Sequence, residues 1–499
     1  MSNDKDNQIL IEDDFFLPFY GKLNKENRWI VMSQLIPWEK FQDKYSANFK
    51  EGNGTVPFSV RVALGTLIIK EIEGFSDRAT VSHISENPFM QYFLGFSGFN
   101  QEEPFDASLI THFRHRLGAE IINEVNEMIS IEAAKKAIDC ENKKNKKNKK
   151  NDKNPPSGVS GNSGNSNKEE TASAPQNQGN LLLDATCAPA DIKYPTDLNL
   201  LNEAREKLEE MIDELHSPNA GKKSKPRTYR NKARKEFLRV TKQRRVKSAV
   251  MRKAIAKQLG YVSRNLKSVN KLLEENGFEN LSNKKLQELW VITELFRQQK
   301  LMYDSKTHSV DDRIVSISQP HVRPIVRGKA NAATEFGAKV AISVVNGYAF
   351  IDELSWDAFN EGAKLKDSVE EYHRRFGFYP KAVIADKLYR NRENLNYLNA
   401  LGIRLTGPKL GRPTESASKE QKILERQDAS IRNEVEGKFG EGKRRYGLGR
   451  IMAKLDNTGR TVVAMQFLVM NLRKRVGLIF CFIYRWLFYR LQSQLSAPA

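Results

Sequence analysis

The sequence predicts an α/β fold: a mixed sheet flanked by helices, with a helical N-terminal domain and a helical insertion after the first strand. Three observations carry this prediction. Short apolar runs that end in acids, LeuLeuLeu before Asp184 and AlaValIleAla before Asp386, read as buried strands. Residues 338–345 and 348–354 flank Asn346-Gly347, a strong two-residue hairpin signal. Elsewhere apolar residues recur at helical spacing. A hairpin pairs antiparallel, while strands joined through a helix run parallel, so the sheet is mixed.

Residues 1–140 read as a helical domain. Val60, Ala63, Leu64, Leu67 and Ile68 follow i, i+3, i+4, i+7, i+8, a core-facing stripe. Ser76 suits the N-cap of a helix ending near Glu86, and Asn87-Pro88 suit the N-cap and N1 of the next, closed by Gly95. Ser108 caps a further helix with Leu109, Phe113 and Leu117 inward and Thr111, Arg114 and His115 outward. Short helices with tight breaks suggest a helix-turn-helix-like module. Its outward residues serve either DNA contact or the ordinary surface of a helical bundle.

Residues 141–180 are Lys/Asn/Ser/Gly-rich and read as a disordered linker. Residues 181–198 open the sheet domain, with Asp191 and Asp197 as secondary acids. Residues 199–304 read as a basic helical insertion. Leu201, Ala204, Leu208 and Met211 mark one of its helices. Apolar residues break the basic run 222–271 at roughly helical intervals, which predicts an amphipathic hairpin with one basic face. That face suits solvent, a DNA backbone or a second protomer.

The sheet domain resumes over 305–460. Residues 314–317 alternate weakly as a strand. Arg323, Arg327 and Lys329 precede the hairpin and suit either phosphate binding or ordinary loop charge. Residues 359–376 read as a helix with Leu365, Val369, Tyr372 and Phe376 inward. A strand at 382–385 ends at Asp386, and the helix after it carries Tyr389, Arg390 and Arg392. A short strand at 403–405 and a loop at 407–414 lead to a glutamate-bearing helix. Residues 461–499 form C-terminal helices. The apolar stretch 476–491 falls short of the ~20 residues of a membrane span and contains Arg485, so it reads as a helix packed on the fold or on a partner chain, with a membrane anchor the lesser reading.

The net charge of +20 points to an acidic partner, nucleic acid before membrane. Three distant cysteines offer neither metal spacing nor a disulfide framework, as expected in a reducing cytosol, and no secretory signal opens the chain.

The segment 431–450 concentrates the chemistry. On a helix, Arg432, Glu436, Gly440 and Lys443 fall near one face, while Glu434 points away. Gly437, Gly440 and Gly442 suggest the close approach of another backbone. One carboxylate on a helix and two at strand ends suit two hard divalent ions. Mg²⁺ takes oxygen ligands, and no His/Cys cluster competes for zinc.

These residues resemble bacterial insertion-sequence transposases of the DDE type, of the IS-five-like or IS-eleven-eighty-two-like group. Arg432, Glu436 and Lys443 match an R-(3)-E-(6)-K signature, and Ala429 stands where that signature has Tyr. LLLDAT around Asp184, ADKLYRNREN around Asp386, RPIVRGKA-EFGAK and the N-terminal helices extend the resemblance. It implies a ribonuclease H-like fold, terminal inverted repeats bound by the N-terminal region, and metal-dependent DNA cleavage and strand transfer. Asp184, Asp386 and Glu436 would be catalytic and would hold two Mg²⁺ (Mn²⁺ substituting), with Asp184 bridging. Lys443 would hold a phosphate, and Arg432 would orient Glu436, bind DNA or simply pair on the helix surface. Arg327, Lys329 and Arg114 join the expected DNA contacts. The implied partner is double-stranded DNA in the bacterial cytoplasm, at the nucleoid, gripped by at least a homodimer on paired ends. A non-catalytic DNA-binding protein, or a nuclease without a joining step, are the other readings of such a scaffold.

Overall fold

The computed structural model describes residues 15–17, 21–49, 57–151, 177–217, 224–329, 332–407 and 415–495, with side chains except at 144–151, 327–329, 332–333, 415–421 and 484–495. The chain begins with five short helices, α1 (Arg28–Leu35), α2 (Glu39–Ser46), α3 (Val60–Glu73), α4 (Asp77–Glu86) and α5 (Pro88–Leu94). Side-chain caps start α4 and α5 as the sequence predicts. The Ser76 hydroxyl accepts from the Ala79 N–H, and Asn87 accepts from Phe89 and Met90. Gly95 ends α5 with φ +88°. The expected stripe on α3 is an underestimate, because this helix is buried almost all round. Even Arg61 is buried, donating to the Phe93 and Tyr92 carbonyls.

Helix α6 (Leu109–Asn151) is broken at Gly118, whose φ is +65°, and then runs on past residue 140. The expected linker is therefore helical over 141–151, and its last residues, 177–180, lead into β1 with Asn177 and Gln178 hydrogen-bonded. Residues 152–176 lie outside the described residues, as does the loop 408–414. Within α6, Phe113 and Leu117 are buried as expected.

The sheet has six strands: β1 (Asn180–Pro189), β2 (Arg323–Lys329), β3 (Ala332–Val345), β4 (Tyr348–Ser355), β5 (Ala382–Ile384) and β6 (Arg404–Leu405). Long β3 pairs antiparallel with β1, β2 and β4, and β1 and β5 pair parallel, as do β5 and β6. The β3–β4 turn is Asn346-Gly347 with φ +48° and +76°, the conformation that Asn-Gly favours. Side chains alternate across the sheet. On β1, Leu181 and Leu183 join one core with α11 (Leu365–Phe376) and α12 (Arg392–Ala400). Leu182 joins the other, with the N-terminal helices, α13 (Glu415–Arg445) and α14 (Asp456–Leu495). The N-terminal helices therefore share a core with the sheet.

Between β1 and β2 lie α7 (Asp197–His216), α8 (Arg230–Thr241), α9 (Ser248–Asn276) and α10 (Asn283–Ser305), with a core of their own containing Leu201, Ala204, Leu208 and Met211. Two expectations change after them. Residues 314–317 form no strand, because the Ile314 N–H donates to the Gln298 side chain instead of a ladder, although Ile314, Val315 and Ile317 are buried. The helix expected from 359 opens as a 3-10 turn, Glu361–Lys364, before α11; its predicted inward residues are buried.

Helix α14 packs along α6 and the sheet edge. Asn471, fully buried, accepts from the Ala349 N–H and donates to the Ala349 carbonyl and to Asn126. No helix among the described residues is long and apolar enough to cross a membrane.

Candidate active site

Strand alternation and register bring the acids together. Leu182 on β1 pairs in parallel register with Ile384 on β5. Asp184 and Asp386 each lie two residues further on, so both project to the face that carries Leu182 and Ile384. Helix α13 covers that same face. Val435 and Phe439 enter its core, and buried Asp428 on α13 holds Arg404 of β6 through two contacts of 2.6 and 2.8 Å. That anchorage presents Arg432, Glu436, Gly440 and Lys443 to the sheet. All four line one cleft of about 610 Å³ with Asp184 and Asp386. Asp184 lies in the middle of β1, which continues to Pro189, while Asp386 follows the end of β5 and caps the Lys387 N–H.

Arg432 joins two of the acids, with guanidinium nitrogens 3.4 Å from Asp386 Oδ1 and 3.4 Å from Glu436 Oε1. Asp386 and Glu436 remain accessible, their side chains 41% and 57% exposed. Asp184 is partly buried. Burial pushes its carboxyl above the ordinary range, and the negative charges of Glu361 and Asp386 add to this; the Ala185 N–H and Arg432 oppose it. Among the described residues, no three His, Cys, Asp or Glu side chains gather closely enough to hold a metal ion.

Glu361 is a cleft residue that the sequence did not flag. It sits at the start of the 3-10 turn and pairs with Lys339 at 2.9 Å. Gly362 lets this turn meet the one after Asp386, because a Cβ there would come within 2.6 Å of the Leu388 carbonyl. Buried Asn394 ties the two turns together, donating to the Gly362 and Tyr389 carbonyls. Only a contact between segments distant in sequence reveals Glu361, and no local pattern marks it.

Other expected residues fall elsewhere. Arg114 does not face outward: it is mostly buried and pairs with Asp77 at 2.5 Å, because α4 and α6 meet there. Arg327 and Lys329 lie on β2 with side chains outside the described set, while the preceding Ile325 and Val326 line the cleft. Asp191 pairs with Arg450, and Asp197 with Arg313. Arg390 donates to the Thr406 carbonyl, and Tyr389 is buried. Among the described residues no backbone meets the glycines of α13: a Cβ on Gly437 would find nothing within 4 Å, and one on Gly442 would meet the side chains of Leu448 and Met470.

Comparison with known proteins finds two matching stretches. Residues 17–116 match the family model described as "Transposase domain (DUF772)", and residues 383–473 match "Transposase DDE domain". These matches support an insertion-sequence transposase. The second stretch contains Asp386, Arg432, Glu436 and Lys443; Asp184 lies outside both. Transposase DDE domains in general act on DNA with divalent metal ions. A curated relative from Rhizobium meliloti, "Uncharacterized protein ORF8 in nfe locus", is 31% identical over 112 residues, or 22% of this chain and 53% of that protein. The chain thus spans about half the length of that relative. No solved structure matches the chain.

Proposed function

We propose that the protein is a DDE transposase that binds the terminal inverted repeats of an insertion sequence, cuts DNA beside them and joins the ends to target DNA. The observation that carries this reading is the convergence of Asp184, Asp386 and Glu436 from β1, the end of β5 and α13 onto one cleft. The strand order, with β4, β3, β1, β5 and β6 side by side, β3 antiparallel to β1 and β4, and β1, β5 and β6 parallel, supports the ribonuclease H-like reading of the fold.

The donor chemistry fits a hard divalent ion such as Mg²⁺ or Mn²⁺. Four carboxylates line the cleft (Asp184, Glu361, Asp386 and Glu436) against three cations, Lys339, Arg432 and Lys443. Lys339 already serves Glu361, so the remaining acids carry the excess negative charge that a cation would offset. As they stand the three acids line the cleft without gathering into a ligand set. Asp184, Asp386 and Glu436 would hold the ions once Asp386 and Glu436 leave Arg432 and close on Asp184. Bound divalent ions would activate the attacking oxygen and stabilise the leaving oxygen of a phosphodiester. Arg432 neutralises Asp386 and Glu436 while the cleft is open, and its guanidinium suits a phosphate once they are otherwise engaged. Lys443, two turns beyond Glu436 on the same cleft wall, would meet a phosphate of a strand running along α13. A second copy would hold the second DNA end.

The test is incubation with Mg²⁺ or Mn²⁺ and a supercoiled plasmid carrying the DNA that flanks the gene, with Asp184→Ala as control. The wild type should nick the plasmid and yield joined products. Nicking without joining would support the nuclease alternative. Equal nicking by both proteins would refute the catalytic assignment.

A further inference from the structure

We propose that helix α8 and the turn after it form a second DNA-holding surface, a backbone clamp outside the catalytic cleft; this rests on the transposase reading above. Residues 230–253 contain eleven Lys and Arg and one acid, Glu236. That acid is taken by Lys257 at 2.7 Å and Tyr261 at 3.0 Å. Two of the cations also have structural work, Arg230 pairing with Asp213 and Arg252 donating to the Tyr303 carbonyl.

The geometry of the others points to a ligand. Lys232, Lys235, Arg239 and Lys242 are spaced i, i+3, i+7 and i+10 and are all exposed. They form one stripe on the side opposite Ala233 and Val240, the two buried residues of α8. None of the four lies within ion-pair distance of an acid among the described residues. Arg244, Arg245 and Lys247 continue the exposed charge through the turn into α9. Helix α8 adds no residue to the hydrophobic core of the insertion, so its charged face is not a by-product of core building. No residue of the insertion lines the catalytic cleft.

The stripe is about 15 Å long at 1.5 Å per residue. Over that length a duplex carries about nine phosphate charges. Lys-rich contact of this kind neutralises phosphates without reading bases, so the clamp would grip any duplex sequence. An anionic membrane fits less well, since a surface-lying helix needs a broad free apolar face, and α8 offers little beyond Leu238 while Ala233 and Val240 are buried.

The experiment uses the full chain and a 30-base-pair duplex of arbitrary sequence, with affinity measured by fluorescence anisotropy from low to high KCl. The variant combines Lys232→Ala, Lys235→Ala, Arg239→Ala and Lys242→Ala; a second variant changes the three lysines to Arg. Removing four phosphate contacts should make the slope of log affinity against log salt shallower by about 3 to 4. The arginine variant should keep the wild-type slope. If the wild type binds the duplex and the alanine variant binds it with the same slope and affinity, the clamp is overturned while the transposase reading stands. If the wild type binds no duplex at any salt, both fail. Tighter binding to phosphatidylserine vesicles than to the duplex, lost in the alanine variant, also overturns the proposal.

Discussion

Replacing Asn471 tests how the N-terminal helices and the C-terminal helix are fastened to the sheet. Among the described residues strand β4 pairs only with β3, so the outer N–H and C=O of Ala349 need partners from another element. The Asn471 amide supplies both, accepting at 3.0 Å and donating at 2.7 Å. It also donates to Asn126 at 2.7 Å, which links α14 to α6. In Asn471→Ala, the Ala349 carbonyl keeps Asn126 and the Asn126 oxygen keeps Ser130. The Ala349 N–H keeps no partner. An orphaned buried donor costs about 1–3 kcal/mol, and each of the two other lost bonds about 1 kcal/mol. The expected destabilisation is therefore about 3–5 kcal/mol. Urea unfolding followed by tryptophan fluorescence suits the measurement, because Trp29 and Trp38 are buried in the core that α14 completes. The midpoint should fall with little change in slope. A loss under about 1 kcal/mol would refute the reasoning, since the amide could not then be what fastens the strand edge.

Three further outcomes follow from the same structure. Arg375, buried, pairs with buried Asp352 at 2.9 Å and with Glu127 at 2.7 Å, so Arg375→Ala should cost about 3–5 kcal/mol in urea unfolding at neutral pH by leaving Asp352 uncompensated. Burial pushes Glu71 from its ordinary 4.5 up to about 7, against Lys70 and Arg114. The folded state thus holds that proton more tightly than the unfolded chain, and stability should decline as pH rises from about 4.5 to 7, by at most ~3 kcal/mol and less where solvent reaches the group. Glu71→Gln should flatten that decline in melting curves taken across the interval. Gly362→Ala should push apart the turns that carry Glu361 and Asp386, lowering nicking at least about tenfold while the melting temperature moves by only a few degrees.

Much of the site was legible because its parts are local. The apolar run before Asp184, the Asn346-Gly347 turn and the i, i+4 spacing of Arg432 and Glu436 each depend on neighbours in sequence. What stayed hidden depends on distant contacts. Glu361 reaches the cleft only because Gly362 lets two turns touch. Arg114 reads as an outward helix residue until α4 brings Asp77 against it. The glycines of α13 suggested a backbone partner, but periodicity cannot say what faces a helix. Likewise the stripe on α3 understated its burial, because helices pack on it from several sides. Residues 314–317 look like a strand by alternation, and a single side chain, Gln298, takes the bond that a ladder would have used.

The central claim is that Asp184, Asp386 and Glu436 act as one unit. It is tested most directly by comparing Mg²⁺-dependent nicking by Asp184→Asn, Asp386→Asn, Glu436→Gln and the triple variant. Groups that work together are strongly non-additive, so each single change should abolish nearly as much activity as all three. Wild-type nicking by any one of the single variants would contradict the account.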